Sequence, residues 1–246
     1  MELNEDAPDR PVELPEAAWA ALQQVSVETL VHVLQKRGIT NSFLTGLRPL
    51  LPGKRMVGYA RTLRFVPLRE DLQADLVRGR NAQRVAVEEC RADDVLVIDA
   101  RQVPDAGTIG DLMAMRLQRR GAAGVVTDGA LRDAAAVEAM GFPTYRQADH
   151  AATFGRRHMP FETNRPVSCA GVFVVPGDLV VGDAGGCVVL PAALAAEVAL
   201  AAVEQELEET WAAERIDAGE PTLGTFPVGA DRRAEFDAWR ARREQG

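Results

Sequence analysis

The sequence predicts a mixed α/β fold, and three patterns carry that prediction. In the central part of the chain short apolar strands alternate with helices, as βαβ units and an at least partly parallel sheet require. After Pro166 the helices stop and strands follow one another through tight turns. From Pro191 one long helix closes the pattern.

Residues 1–15, MELNEDAPDRPVELP, are acidic and proline-bearing with little to bury, and are expected to form a flexible arm. From Glu16 to Lys36 the apolar positions Ala18, Leu22, Val25, Leu30, Val31 and Leu34 predict one or two helices, stopped by Gly38. A Pro-Gly turn then introduces a strand on which Val57, Tyr59, Arg61, Leu63 and Phe65 share a face. DLVRGRNAQRVAVEECRADDVLVIDARQ reads as a helix feeding a short strand, Val95 to Ile98, that ends on Asp99. GTIGDLMAMRLQRRG reads as a helix bounded by Gly107 and Gly121, and Gly124 to Asp128 as a strand ending in an acid. A helix from Ala134 to Met140 stops at Gly141, and FPTYR resumes as strand. VSCAGVFVV, LVVGD and CVVLP, joined by PGD and AGG turns, predict an antiparallel meander. The last helix, AALAAEVALAAVEQELEETWAAERI, has an apolar first half and an acidic second half. The domain is therefore set at residues 16–216. The extension, 217–246, carries Gly219, Pro221, Gly224 and Pro227 and is expected to lie on a neighbour or on its own surface.

Composition narrows the function. With 47% hydrophobic residues in 246, a substantial core is available. A net charge of -8 argues against a nucleic-acid backbone as the main partner. Cys90, Cys169 and Cys187 are odd in number and scattered through apolar stretches, so they read as small buried hydrophobes in a reducing compartment. The acidic N-terminus is the opposite of a signal peptide, and no apolar run approaches the roughly 20 residues of a membrane span. A cytoplasmic protein with no membrane partner is expected.

Chemistry concentrates in GDLMAMRLQRRGAAGVVTDGALRD. Thr108-Ile109-Gly110-Asp111 has the form of a capping box, in which Asp111 would bond back to the Thr108 backbone. A glycine-bearing helix start also turns N–H groups and a positive dipole end outward, so a carboxylate or phosphate could rest on Gly110 to Met113. Arg132 and Asp133 follow the Gly124–Asp128 strand, where open α/β sheets place ligands. Asp133 reads either as an N-cap for the next helix or as a ligand for a hard cation. Arg132 reads as solvated, or as a fork for a carboxylate or a developing oxyanion. Asp99 and Asp128 read as turn formers or as supporting acids. His32 is expected to pack in its apolar helix, while His150 and His158 lie in a loop-like stretch. There is no nucleophile elbow and no P-loop. Glu204, Glu206, Glu208 and Glu209 read as a solvated face from which one carboxylate could reach a neighbouring subunit.

That signature, together with GFP at Gly141 and VSCAGVFVVPGDLVVGDAGGCVVLP, resembles the RraA-like family from about Val25 to Trp211. The family includes 4-hydroxy-4-methyl-2-oxoglutarate/4-carboxy-4-hydroxy-2-oxoadipate aldolases and the regulator of ribonuclease activity A. The resemblance implies a swivelling ββα sandwich with a mixed sheet and a long C-terminal helix, assembled as a homotrimer or hexamer with sites between subunits. It implies that Gly110, Asp111, Leu112 and Met113 bind a substrate carboxylate. Arg132 would bind substrate and stabilise an enolate, and Asp133 would ligate Mg²⁺ or Mn²⁺. A glutamate donated by a neighbour is implied as well, with Glu209 the best match and Glu206 next. One departure is Asp183-Ala184-Gly185-Gly186, where many relatives carry a second acid. The long tail beyond Asp217 is another.

The implied reaction is a metal-dependent retro-aldol on a 4-hydroxy-2-oxo acid, releasing pyruvate. Its base would be a metal-associated water polarised by Asp111 or Glu209. Oxaloacetate decarboxylation reaches the same enolate and is an expected side activity. The alternatives are another metal-dependent lyase or decarboxylase of sugar-derived oxo acids, and a non-catalytic ribonuclease-regulator-like binding protein.

Overall fold

Ser26 divides the N-terminal helical stretch in the computed structural model, which describes residues 12–77 and 81–244. Its hydroxyl accepts the Thr29 N–H at 3.1 Å, capping α2 (Val27–Lys36) and separating it from α1 (Glu16–Leu22). Most of the expected arm lies outside the described residues. Leu14, placed in that arm from sequence, is instead buried, and its N–H donates to the Tyr59 hydroxyl at 3.2 Å.

The chain continues through β1 (Arg48–Pro49), β2 (Met56–Pro67), α3 (Glu70–Val77), α4 (Ala82–Glu89) and β3 (Asp94–Asp99). Then come β4 (Gly107–Ile109), α5 (Asp111–Arg119), β5 (Gly124–Leu131), α6 (Ala134–Ala139) and β6 (Thr144–Asp149). β7 (His158–Thr163), β8 (Val167–Cys169), β9 (Val172–Val174), β10 (Leu179–Gly182) and β11 (Cys187–Leu190) precede α7 (Ala195–Asp217) and α8 (Arg233–Glu244).

The main sheet runs β1-β6-β5-β3-β2-β10-β11, with β4 joined to β5 and β7 to β2. Its centre, β2-β3-β5-β6, is parallel, while β10, β11 and β7 add antiparallel strands. Alternate residues of each strand serve different layers. Leu96, Ile98 and Val125 pack with Leu117 of α5 and Val137 of α6. Val57, Tyr59, Leu179 and Val181 pack under α1, α2 and the apolar half of α7. Val95, Val97 and Val126 face the other way, toward Val167, Cys169, Val172 and Val174 of the two-stranded β8-β9 sheet. The result is helices, a mixed sheet, and a second small sheet stacked in that order.

Three expectations change. The helix expected from Gly107 starts only at Asp111, because Gly107–Ile109 pairs in parallel with β5. β5 itself runs on to Leu131, which puts Arg132 directly at its end. The meander is split between two sheets, since Ala170 and Gly171 turn β8 back onto β9 at φ +48° and +80°.

The extension folds back on its own chain. Phe236 and Trp239 of α8 join Trp211 of α7 in a separate apolar cluster. Arg233 and Arg240 pair with Glu208 and Glu204 at 2.8 and 2.7 Å. All three cysteines are free and buried, and burial pushes the Cys90 thiol up to about 12. No helix among the described residues is long and apolar enough to cross a membrane.

Candidate active site

β4 and β5 lie side by side and end together, so the turn into α5 and the turn into α6 face one another. The Arg132 N–H donates to the Ile109 carbonyl at 2.9 Å, which fixes that relationship. The expected capping box does not form. Thr108 belongs to a strand, and its buried hydroxyl bonds to Thr127 Oγ1 at 3.0 Å and the Ala130 carbonyl at 3.1 Å. Gly110 takes the N-cap position in extended conformation with no side chain capping the helix. Asp111 Oδ1 accepts the adjacent Leu112 N–H at 2.8 Å. The start of α5 is therefore an open, partially positive end.

Two glycines make space for the charged pair. A Cβ at Gly107 would overlap Arg132 Cγ, and one at Gly110 would lie 2.8 Å from Asp133 Oδ2. Asp133 occupies the N-cap position of α6 but makes no capping bond. Its backbone sits at φ +56°, ψ +36°, a left-handed conformation that costs most residues but that aspartate tolerates. Its carboxylate is thereby aimed across Gly110. The Arg132 Nε donates to the Ala151 carbonyl at 3.0 Å, which steadies the guanidinium. Among the described residues, neither the Nη atoms of Arg132 nor the Asp133 carboxylate has an ion-pair partner.

These groups open onto a pocket of about 170 Å³. Gly110, Asp111, Leu112, Met113, Arg132 and Asp133, all singled out from sequence, line it together. Gln83, Thr153 and Phe154 complete the wall and were not expected. Gln83 reaches it from α4, where its amide donates to the Thr108 carbonyl. No motif marks any of the three, because they come from elements far apart in sequence.

The donor set suits one kind of metal. Among the described residues no group of three or more His, Cys, Asp or Glu surrounds a common point. An exposed, unpartnered carboxylate fits Mg²⁺ or Mn²⁺, which keep several waters and take further oxygens from a bound substrate, and does not fit a protein-caged zinc ion.

Glu209 is not brought to this pocket by its own chain. It is exposed on α7 and accepts a hydrogen bond from Gln205 at 3.0 Å. Glu206 accepts the Ser26 N–H at 2.6 Å, and Glu204 and Glu208 pair with α8. Glu209 is thus the one member of that acidic group held only within its helix.

Asp99 and Asp128 act as loop ties. Asp128 accepts the Ala100 and Ala170 N–H groups at 2.6 and 3.0 Å, and Asp99 accepts that of Arg101 at 2.9 Å. Burial raises the Asp128 carboxyl to about 6, against the pull of those backbone bonds. His32, expected to pack, is exposed, because Leu30, Val33 and Leu34 take the inner face of α2. His158 is buried with neither ring nitrogen bonded, and burial pulls it down to about 4. His150 is half-buried and its Nδ1 accepts the Ala152 N–H at 3.0 Å.

Known proteins share this fold. The sequence pattern of the RraA-like family, described as Aldolase/RraA, matches residues 21–189. A Halalkalibacterium halodurans protein named "Putative 4-hydroxy-4-methyl-2-oxoglutarate aldolase" is 36% identical over 155 residues, 63% of this chain and 68% of that protein. The crystal structure of Streptomyces coelicolor RraAS2, described as an unusual member of the RNase ES inhibitor RraA protein family, is 35% identical with a TM-score of 0.73. That match covers 81% of this chain and 98% of the other. A Pseudomonas syringae protein of solved structure is 26% identical with a TM-score of 0.75, over 87% and 98% of the two chains. The mixed α/β fold expected from the sequence is that of these structures, and the expected long C-terminal helix is α7.

Proposed function

The chain belongs to the RraA-like family, and from that membership and its Arg132–Asp133 pocket we propose that it is a divalent-metal-dependent lyase that cleaves a 4-hydroxy-2-oxo acid and releases pyruvate. The observation that carries this reading is the pairing of a guanidinium and a carboxylate, neither with an ion-pair partner among the described residues, over an uncapped helix start. An enolate-forming site needs an anion seat, a cation facing the oxygen where charge builds, and a carboxylate to hold a metal. We assign these roles to the backbone of Gly110 to Met113, to Arg132 and to Asp133, which line one pocket.

The substrate carboxylate rests on the backbone of Gly110 to Met113, where N–H groups and the helix dipole favour an anion. Asp133 holds Mg²⁺ or Mn²⁺, which when bound supplies Lewis-acid polarisation of the 2-oxo acid. Asp111 has one carboxylate oxygen engaged by the Leu112 N–H and the other available to take a proton from the C4 hydroxyl through water. As the C3–C4 bond breaks, C4 becomes a carbonyl and the electron pair passes to the pyruvate half as an enolate, which is then protonated at C3. Arg132 faces the enolate oxygen, and losing one such preorganised donor costs on the order of 3 kcal/mol of barrier. Oxaloacetate decarboxylation leads to the same enolate and is the expected side activity.

We place the chain in a homotrimer or hexamer in which Glu209 of one subunit completes the site of another. Support for that choice comes from Glu206, which Ser26 already engages. The likeness to the Streptomyces protein favours a second reading, a ribonuclease-regulator-like binding protein without turnover. Pyruvate release from 4-hydroxy-4-methyl-2-oxoglutarate and oxaloacetate, measured with Mg²⁺ and again with EDTA, separates them. The lyase reading expects turnover that EDTA abolishes, and the absence of turnover on a panel of 2-oxo-acid aldols would favour the regulator.

A further inference from the structure

Gln83, Thr153 and Phe154 line the pocket of Arg132 and Asp133, and the chemistry proposed above uses none of them. Gln83 comes from the first turn of α4, which Asn81 caps by accepting the Arg84 N–H at 3.0 Å. Only 7% of it is exposed. Its Nε2 donates to the Thr108 carbonyl, and a carbonyl only accepts, so the amide cannot be turned round. Its Oε1 is left without a partner among the described residues. The Thr108 hydroxyl does not serve it, being held by Thr127 and Ala130. A side chain more than nine-tenths buried thus carries a neutral, unfilled acceptor on the wall of the pocket.

Its two companions are neutral as well. Thr153 stands at the N-cap of the short turn Phe154–Arg156, and its hydroxyl makes no capping bond. Phe154 rests against Phe65, with ring centroids 5.7 Å apart, and adds an apolar face. Among the described residues of the lining, Arg132 is the only cation, against the carboxylates of Asp111 and Asp133. A divalent ion and one substrate carboxylate balance that set, so a second carboxylate would stand uncompensated. An alkyl group avoids that cost but covers the Gln83 oxygen and leaves it unpaired. A hydroxyl meets both conditions, since it is uncharged and its O–H fills the acceptor.

We propose that Gln83 selects a hydroxyl on the part of the substrate beyond C4, so that the substrate is a 2-oxo acid with an uncharged, hydroxylated tail, the class derived from sugars. The proposal rests on the lyase reading, which places the 2-oxo-acid end on Gly110 to Met113. The 4-hydroxyl is not the group Gln83 holds, because its proton goes to the base. The next hydroxyl along the chain is the one that donates to Oε1, with Phe154 covering the C–H side of the tail.

Three five-carbon aldols that differ only at C5 test this. In 4,5-dihydroxy-2-oxopentanoate the chain ends in a hydroxymethyl group, in 4-hydroxy-2-oxopentanoate in a methyl, and in 4-hydroxy-2-oxoglutarate in a carboxylate. With Mg²⁺ the wild-type protein is expected to release pyruvate from the first with kcat/KM at least about tenfold above the other two. Gln83→Met is expected to lose about tenfold on the first and to keep the second within about twofold. Equal losses on both would make Gln83 a brace for β4 and overturn the proposal, as would a wild-type preference for the methyl or the carboxylate. Calorimetry adds a readout without turnover. The alkyl-tailed 2-oxopentanoate, which lacks the 4-hydroxyl, is expected to bind Gln83→Met about threefold more tightly than wild type, because methionine leaves no acceptor unpaired. Equal or weaker binding overturns the selection. If none of the three aldols yields pyruvate while the methyl protons of pyruvate still exchange with solvent, the substrate class alone is overturned. Absence of that exchange as well overturns the lyase reading, and the proposal with it.

Discussion

Gly107 lies directly behind Arg132, so close that a Cβ at the glycine would overlap the arginine Cγ. The Ala152 carbonyl, 3.0 Å from the same point, closes the other direction of escape. Gly107→Ala therefore displaces the guanidinium. Misplacement of about an ångström typically costs about a hundredfold in rate, so kcat/KM is expected to fall by that order while the circular dichroism spectrum is kept. Unchanged kinetics would mean that Arg132 has no positional role.

Asp133→Asn separates charge from shape. Asparagine accepts the left-handed backbone that Asp133 adopts, so the protein is expected to fold normally. Removing the negative charge leaves a much poorer ligand for a hard cation, and Mn²⁺ affinity followed by electron paramagnetic resonance is expected to drop at least about tenfold. Retained affinity would locate the ion elsewhere.

Subunit mixing tests the donated carboxylate. Glu209→Ala and Arg132→Ala homo-oligomers are each expected to be inactive. Mixed oligomers assembled from the two are expected to regain turnover, because some sites then combine an intact Arg132 with a neighbour's intact Glu209. No recovery would place Glu209 outside the chemistry or confine it to its own subunit.

Much of this arrangement is legible in the sequence, and the exceptions share a cause. Runs such as Val95 to Ile98 and the helix from Ala195 announce themselves through local periodicity. The strand Gly107–Ile109 does not, because three residues ahead of a helix look like its leader until β5 pairs with them. The same non-local pairing removed the capping box at Thr108. Asp133 shows the limit most clearly: its identity flagged it, but its left-handed backbone and its aim across Gly110 depend on two distant turns meeting. Gln83 and Phe154 carry no local mark at all. In α8 the signal was present, in the spacing of Phe236 and Trp239, but the preceding glycines and prolines masked it.

Stability offers an independent check through His158, which packs on Phe65 with ring centroids 4.9 Å apart. Burial, aided by the Arg101 cation, lowers its pKa from 6.5 to about 4. The unfolded chain therefore takes up a proton that the fold refuses. The histidine's contribution is intact above about pH 6.5 and declines toward about pH 4, by on the order of 1 kcal/mol per unit. Asp128 runs the opposite way: its carboxyl, raised to about 6, relieves its burial cost as pH falls through that value toward 3.8. The wild-type curve is thus expected to be shallow, whereas the difference between His158→Phe and wild type isolates the histidine. In urea unfolding the variant is expected to gain steadily on wild type between about pH 6.5 and 4. A difference independent of pH would contradict the buried, neutral histidine.

The pyruvate half of the reaction can be followed without knowing the rest of the substrate. In D₂O with Mg²⁺, the wild-type protein is expected to exchange the methyl protons of pyruvate for deuterium, read as loss of the methyl NMR signal. Arg132→Ala is expected to leave that signal at the rate seen in buffer alone. Exchange that proceeds equally in Arg132→Ala, or is absent from the wild-type protein, would contradict an enolate-forming site at Arg132 and Asp133.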